Sequence, residues 1–368
     1  MKEGKRIVVK VGTAVVSRPD GRLALGRLGA LVEVLCELAE AGHQVLLVSS
    51  GSVGVGAARL GIERPTELAD RQAAAATGQG SLIALYDGLF RRQGRYCAQV
   101  LLTESDFHHR AHYLNLAQAL ERLLQLGLVP VINENDVVST TELALAPGAS
   151  GRRAVFGDND RLGALVASNL GADLLVLLTD VDGVYTAPPS RPDAQRIAVM
   201  DRSVRFEAGS ANARGTGGIA SKVRAAQIAA SAGVDTVIAS GLAPEVLRRI
   251  LAGEDVGTRF PAEPGMNRRR RWIAFATAPA GRLVVNPGAK NAVLNGTASL
   301  LWPGITAVQG VFESGAVVEV ATDDTVFARG IVGLDSAALT AGLGQSRGVV
   351  LHRDDLAVLV PTRTSEDG

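Results

Sequence analysis

Six short apolar runs, set apart by stretches of a different period, constrain this chain more than anything else in it. Residues 7–11, 45–48, 98–102, 128–132, 174–178 and 236–239 are rich in Val, Ile and Leu and show little polar alternation. A strand that is apolar on both sides must be covered on both sides. The intervening stretches have helical period: Leu28, Leu31, Val32, Leu35, Leu38 and Ala39 fall on one face, and Leu162, Leu165, Val166 and Asn169 on another. Apolar strands alternating with helices imply an α/β fold, a mostly parallel central sheet with helices on both faces.

After about residue 258 the pattern changes. "PAEPGMNRRRR" is punctuated by Pro and Gly, then basic, and reads as a linker. Beyond it, short alternating runs at 282–286, 317–321, 326–330, 349–352 and 357–360 are divided by Gly and Pro, with one helical patch at 289–294. The expected organisation is an α/β domain over 1–257, a linker over 258–271, a small mainly-β domain over 272–361 and a tail over 362–368. A length of 368 residues suits two domains.

Composition narrows the function. Hydrophobic residues are 47%, charged residues 20% and the net charge is +1, so nothing in the bulk balance calls for nucleic acid or an anionic membrane. The two cysteines, Cys36 and Cys97, lie far apart in apolar surroundings and read as core residues of a reducing compartment. No secretory segment and no membrane-length apolar run is present, and a cytoplasmic location is expected.

In an open parallel sheet, ligands sit beyond the C-terminal strand ends, where loops meet helix N-termini. Those ends are Lys10-Val11-Gly12-Thr13, Ser49-Ser50-Gly51-Ser52, Asn133-Glu134-Asn135-Asp136 and Thr179-Asp180. To these add Asp158-Asn159-Asp160, opening one helix, and Gly215-Thr216-Gly217-Gly218 running on to Lys222 in another. Each has a plainer reading as turn, cap or solvated charge. Their placement on one sheet edge is what lifts the set. Glycine-rich turns expose N–H groups that cradle anions, and Lys10 and Lys222 add point charges. The glycine spacing of "GTGGIASK" does not fit a P-loop.

None of the five histidines, at 43, 108, 109, 112 and 352, falls in these loops. Ser50 therefore has no local base, and triad hydrolysis is poorly supported. No Cys/His cluster has zinc spacing. Phosphoryl transfer to a carboxylate suits the set better. That nucleophile, with a reference pKa of about 4.3, is already ionised at neutral pH, and the task is to bring it against an anionic phosphate.

In order along the chain, "VVKVGT", "VSSGSVGVG", "VPVINEND", "GDNDRLGALVA", "LLLTDVDGVYT" and "GTGGIASK" resemble the amino acid kinase family. Within it, "INEND" followed by "GDND" is similar to the members that phosphorylate the side-chain carboxylate of L-glutamate, the first step of proline biosynthesis. The segment beginning "GRLVVNPGAKNAVLNGTASLLWPGI" resembles a PUA domain. The resemblance implies an αβα sandwich followed by a small mainly-β, PUA-like barrel, with ATP and Mg²⁺ as cosubstrate and cofactor. It implies that Lys10 and Lys222 stabilise the transferring phosphoryl group, that Asp160 holds the two lysines, and that Asp158 lies near phosphate and metal. Ser50, Gly51, Asn133, Asp136 and Asn159 are implied to bind glutamate, with Asp136 facing its α-amino group. Lys10, Gly12, Thr179, Asp180, Gly215, Thr216, Gly217, Gly218 and Lys222 are implied to hold ATP, and the magnesium is held mainly by the ATP phosphates. Feedback inhibition by L-proline and a dimer or tetramer are implied as well.

The chain departs from the family's spacing between Asp136 and Asp158, where about ten extra residues, 143–155, flank the glutamate loop. In the second domain Asn286, Trp302 and Ala316 depart from common residues, and aromatics are only 4% of the chain, so RNA binding is not expected. The competing readings are a related kinase acting on acetylglutamate, aspartate or a nucleotide, and an RNA-binding protein that uses the PUA-like domain.

Overall fold

A computed structural model of the chain describes residues 4–18, 20–63, 65–108, 110–138, 159–201, 218–243, 245–263, 268–276, 279–295, 298–322 and 325–359. It divides into two compact units, Met1–Asp106 with Ala111–Pro264, and Phe107–Arg110 with Gly265–Gly368.

The first unit is built on seven strands: β1 (Arg6–Val11), β2 (Gln44–Val48), β3 (Cys97–Leu102), β4 (Val129–Glu134), β5 (Leu174–Thr179), β6 (Asp235–Ser240) and β7 (Thr258–Phe260). Their order is β3-β4-β2-β1-β5-β6-β7, all parallel except β7, which runs antiparallel to β6. Helices α1 (Thr13–Val16), α2 (Leu25–Glu40), α3 (Ser52–Leu60), α4 (Leu68–Arg92), α5 (Ser105–His108), α6 (Arg110–Gln125), α7 (Asn159–Leu170), α8 (Ile219–Ser231) and α9 (Val246–Leu251) fill the connections.

The strands' period of two divides their side chains between two cores. Ile7, Val9, Val11, Val45, Leu47, Val176 and Val237 pack with Leu28, Leu31 and Leu35 of α2, Leu82, Tyr86 and Phe90 of α4, and Leu247 of α9. The intervening strand residues, Val8, Leu46, Ile132, Leu175 and Ile238 among them, are buried on the other face. There α7 packs on β1, β4 and β5, and α8 on β5 and β6. This is the expected αβα sandwich. No helix among the described residues is long and apolar enough to cross a membrane.

Two glycines make the α3–α4 crossing unusually close. A Cβ on Gly56 would overlap the Ala74 carbonyl, and one on Gly78 would overlap the Ser52 carbonyl. The crossing ties the loop after β2 to the middle of α4.

The first unit closes at Pro264 and not at residue 257, because β7 belongs to the sheet. Thr258 is fully buried; its hydroxyl donates to Ile197 O at 2.6 Å and accepts from Val184 N at 2.8 Å. The four arginines expected in a solvated linker form a helical turn, α10 (Arg268–Arg271), within the second unit. Two of them are held there: Arg269 pairs with Asp355, and Arg270 donates to the Arg353 carbonyl.

The second unit has a five-stranded sheet and a two-stranded ribbon. Its strands are β8 (Gly281–Val285), β9 (Leu300–Leu301), β10 (Ile305–Gln309), β11 (Val317–Thr322), β12 (Thr325–Ile331), β13 (Val349–Leu351) and β14 (Leu356–Val358). The sheet order is β10-β8-β11-β12-β14, with β13-β9 as the ribbon. Leu283, Val285, Trp302, Phe312, Val318, Val320 and Leu351 form its core. The helical patch is α11 (Pro287–Leu294), capped by Asn286 Oδ1 accepting from Ala289 N at 2.9 Å, with Pro287 at the first position. A further helix, α12 (Ser336–Ala341), is capped in the same way by Asp335.

Candidate active site

Lys10 sits near the C-terminal end of β1 on the face covered by α7, and is only 4% exposed. Its stem reaches the site because α7 carries Gly163 there; a Cβ at that position would press to 3.3 Å from Lys10 Cβ. One turn earlier on α7, Asp160 is 1% exposed and places Oδ1 2.5 Å from Lys10 Nζ. Its other oxygen, Oδ2, lies 3.1 Å from Nζ of Lys222, which comes from the first turns of α8 and is 7% exposed. A buried ion survives only with close partners. Here one carboxylate is shared by two ammonium groups, which leaves the trio one positive charge in excess at the strand ends. The first turn of α7 further favours the carboxylate through the helix dipole.

Beside the trio lies a set of amides and hydroxyls. Asn159 Nδ2 donates to Ser50 Oγ at 3.1 Å and to Asn133 Oδ1 at 3.0 Å. Asn133, 1% exposed, accepts also from Glu134 N at 2.9 Å, and its Nδ2 donates to Gln79 Oε1 at 2.7 Å. Asp136 Oδ2 accepts from Ser52 Oγ at 3.1 Å. Ser50 and Ser52 are placed by the turn after β2: Ser49 N extends the ladder to Ile132 O at 2.8 Å, and Gly51 then takes φ +98, a left-handed conformation that favours glycine. Ser49 Oγ lies 3.0 Å from the hydroxyl of buried Tyr86. Burial pushes the Tyr86 phenol up to about 12 against the opposing Ser49 hydrogen bond, so it stays a neutral support.

The third side of the site is the end of β5. Thr179 is buried, its hydroxyl donates to Asp180 Oδ1 at 3.0 Å, and Gly241 N bonds its carbonyl at 2.7 Å. Gly12 N continues the β1–β5 ladder to Leu178 O at 2.9 Å. A Cβ on Gly12 would stand 3.7 Å from Lys10 Nζ, so glycine leaves that ammonium approachable. At Gly218 the N-terminus of α8 has no side-chain cap.

The structure therefore brings together Lys10, Asp160 and Lys222 as one cluster, and Ser50, Asn133 and Asn159 as another, with Asp136 tied to Ser52. Gly12, Gly51, Thr179, Asp180 and Gly218 lie at the ends of β1, β2 and β5 and the start of α8. Asp158, Gly215, Thr216, Gly217 and the 143–155 insertion lie outside the described residues. The partner of the Ser50 hydroxyl among the described residues is an amide and not an imidazole, in line with the absence of histidine from these loops. Sequence reasoning passed over Gln79, and placed Ser52 in a strand-end loop without giving it a role. The glycines of "ATGQGS" were a signal for the first, since Gly78 is where α4 presses on α3.

Residues 5–240 match the amino acid kinase family. The chain belongs to the amino acid kinase family. That match begins just before β1 and closes with β6, so it contains every strand-end loop described above. Residues 281–346 match the PUA domain. Among curated relatives, the glutamate 5-kinase of Picosynechococcus sp. (strain ATCC 27264 / PCC 7002 / PR-6) is 46% identical over 376 residues, covering 96% of this chain and 98% of its own. The glutamate 5-kinase of Gloeobacter violaceus is 47% identical over 377 residues, with 96% and 99% covered. Among solved structures, an isopentenyl phosphate kinase substrate complex matches at 19% identity and TM-score 0.48, over 70% of this chain and 99% of its own. Carbamate kinase from Giardia lamblia bound to AMP-PNP matches at 18% identity and TM-score 0.48, over 72% and 100%.

Proposed function

We propose that this member of the amino acid kinase family transfers the γ-phosphoryl group of ATP to the side-chain carboxylate of L-glutamate, giving L-glutamyl 5-phosphate and ADP, the first step of proline biosynthesis. The observation that carries it is the buried Lys10–Asp160–Lys222 cluster beside the Ser50–Asn133–Asn159 set, on one sheet edge. The glutamate 5-kinases aligned over 96% of the chain support the choice of acid. The donor set fits the phosphates of a nucleotide: two ammonium groups, an uncapped helix start at Gly218, and a Gly12 that holds no side chain over Lys10. Magnesium carried on the phosphates supplies further neutralisation of their charge.

In the reaction a carboxylate oxygen of glutamate bonds to the γ-phosphorus as the bond to the β–γ bridging oxygen breaks, and ADP leaves with that electron pair. No proton moves, so no general base is needed. Lys10 and Lys222 hold positive charge against the transferring group, where it is worth most as the phosphorus separates from both oxygens. Asp160 keeps the two ammonium groups at a fixed spacing so that they do not reorganise during transfer. Ser50, Asn133 and Asn159 orient the acid, Asp136 takes its ammonium group, and Thr179 and Asp180 face the nucleotide. By the same reading Gly51 serves the acid, Asp158 the phosphate and metal, and residues 215–217 ATP.

Feedback inhibition by L-proline at the glutamate side, a cytoplasmic location and assembly into a dimer or tetramer belong to the same reading. The two free thiols, Cys36 and Cys97, support a reducing compartment. Incubation with ATP, Mg²⁺ and hydroxylamine tests the activity, because an acyl phosphate is trapped as a hydroxamate. Product from glutamate, and none from N-acetylglutamate or aspartate, is expected. Hydroxamate from another acid alone would overturn the assignment.

A further inference from the structure

Taking glutamate phosphorylation as read above, we propose that Gln79 is a positioning residue for the acid, acting through Asn133. The argument is one of hydrogen-bond direction. The backbone N–H of Glu134 can only donate, and it points at Asn133 Oδ1 from 2.9 Å. That fixes oxygen at this end of the Asn133 amide and NH₂ at the other. The NH₂ end meets Gln79, which must present its carbonyl oxygen, and does so at 2.7 Å. Because Asn133 offers an acceptor, Asn159 must turn its own NH₂ toward it, reaching Asn133 Oδ1 and Ser50 Oγ together. Ser50 Oγ is thereby an acceptor from Asn159, and its proton is free to point at a substrate oxygen. The oxygen of Asn159 is left buried with no partner among the described residues, ready for a donor on the substrate. Donor and acceptor roles along the whole row thus follow from the Glu134 backbone amide, and Gln79 receives the NH₂ end of Asn133.

Gln79 is set there by the close α3–α4 crossing. Its neighbour Gly78 meets the Ser52 carbonyl, and Ser52 holds Asp136 from the same loop that carries Ser50. One crossing therefore positions both flanks of the acid site. Without Gln79, buried Asn133 keeps its oxygen on the Glu134 N–H, but its NH₂ loses the Gln79 acceptor, so the amide is held at one end and its place beside Asn159 and Ser50 slackens. The row and the Lys10–Asp160–Lys222 cluster are held by separate bonds, so the change falls on the acid side.

The test is steady-state hydroxamate formation by the full chain, wild type against Gln79→Met, with glutamate and ATP varied in turn. Met keeps the length of the side chain at a half-buried position and removes the acceptor. KM for glutamate should rise about tenfold, the equivalent of one lost buried hydrogen bond, while KM for ATP holds. Unchanged KM for glutamate in a folded Gln79→Met overturns the inference, as does a parallel rise in both KM values. Gln79→Ala is measured beside it; if both variants fail to fold, Gln79 serves the α3–α4 packing and the positioning role is refuted. A wild-type chain that makes no glutamyl hydroxamate refutes the functional reading itself, which these outcomes for Gln79 cannot mimic.

Discussion

Replacing Asp160 by Asn keeps the shape of the side chain and removes the one negative charge that two ammonium groups share. In the wild-type chain Lys10 Nζ and Lys222 Nζ lie 2.5 and 3.1 Å from its two oxygens, with all three side chains at most 9% exposed. Each lysine then loses its close counter-ion at Asp160, and the cluster's excess charge rises from one to two. Removing one partner of a buried ion pair costs about 3–5 kcal/mol. A shared carboxylate with both ammonium groups near the rim belongs at the low end of that range. For a unit of this size about 3 kcal/mol lowers Tm by about 5–10 °C.

The same change has a second, opposite consequence. A site with one negative charge fewer beside its two lysines holds anions more tightly, so ATP should raise the Tm of Asp160→Asn by more degrees than it raises the wild type's. Turnover should nevertheless fall about a hundredfold or more, because mutually repelling lysines no longer stand where the transferring group needs them. The assay is thermal unfolding by circular dichroism with and without Mg-ATP, paired with kcat. A variant that melts with the wild type, gains nothing extra from ATP and keeps its kcat would refute the role given to Asp160.

Lys10→Met and Lys222→Met should each cut kcat by about a hundredfold or more, yet lower Tm less than Asp160→Asn, because Asp160 retains one ammonium in either case. Arg6 tests the opposite rim: it bonds Gln44, Glu121 and the Leu170 carbonyl at 2.5–2.9 Å, at the starts of the strands. Arg6→Ala should cost about 1–2 kcal/mol in denaturant unfolding with kcat unchanged. Gly78→Ala should cost about 3 kcal/mol, since its methyl meets backbone that cannot rotate away, measured by the same unfolding. Burial pushes the Cys36 and Cys97 thiols from 9.0 up to about 11, so iodoacetamide should label neither appreciably at pH 8. The folded chain keeps those protons while the unfolded chain releases them, so stability should fall as pH rises from 9 toward 11, read by unfolding at fixed denaturant.

What the sequence disclosed, and what it withheld, follows one physical division. Signals that repeat survived as structure. The apolar runs became β1–β6, five of them buried strands that need apolar side chains on both faces and β3 a half-exposed edge, and the face of Leu28, Leu31, Val32 and Leu35 became the buried face of α2. The polar strand ends converged because parallel strands send all their C-termini to one rim. Short signals were harder. Asp335 capping α12 is a single residue at the head of six, and β7 is three residues long, too short to show a period. The four arginines read as solvated because charge in sequence says nothing about Asp355 and the Arg353 carbonyl, which lie some eighty positions away and hold Arg269 and Arg270.

Gln79 is the sharper case. Nothing in a helix surface of alanines and glycines distinguishes a glutamine whose carbonyl must face inward from one that is merely solvated. Its role exists only once Glu134 N has fixed the Asn133 amide and Gly78 has let α4 approach α3. Residue type and spacing locate charge, since two lysines and an aspartate act over several ångströms. They do not reveal the direction of a hydrogen bond, which is a property of pairs. That is why the Lys10–Asp160–Lys222 cluster was legible from its charges, while the sense of the amide row had to wait for the distances.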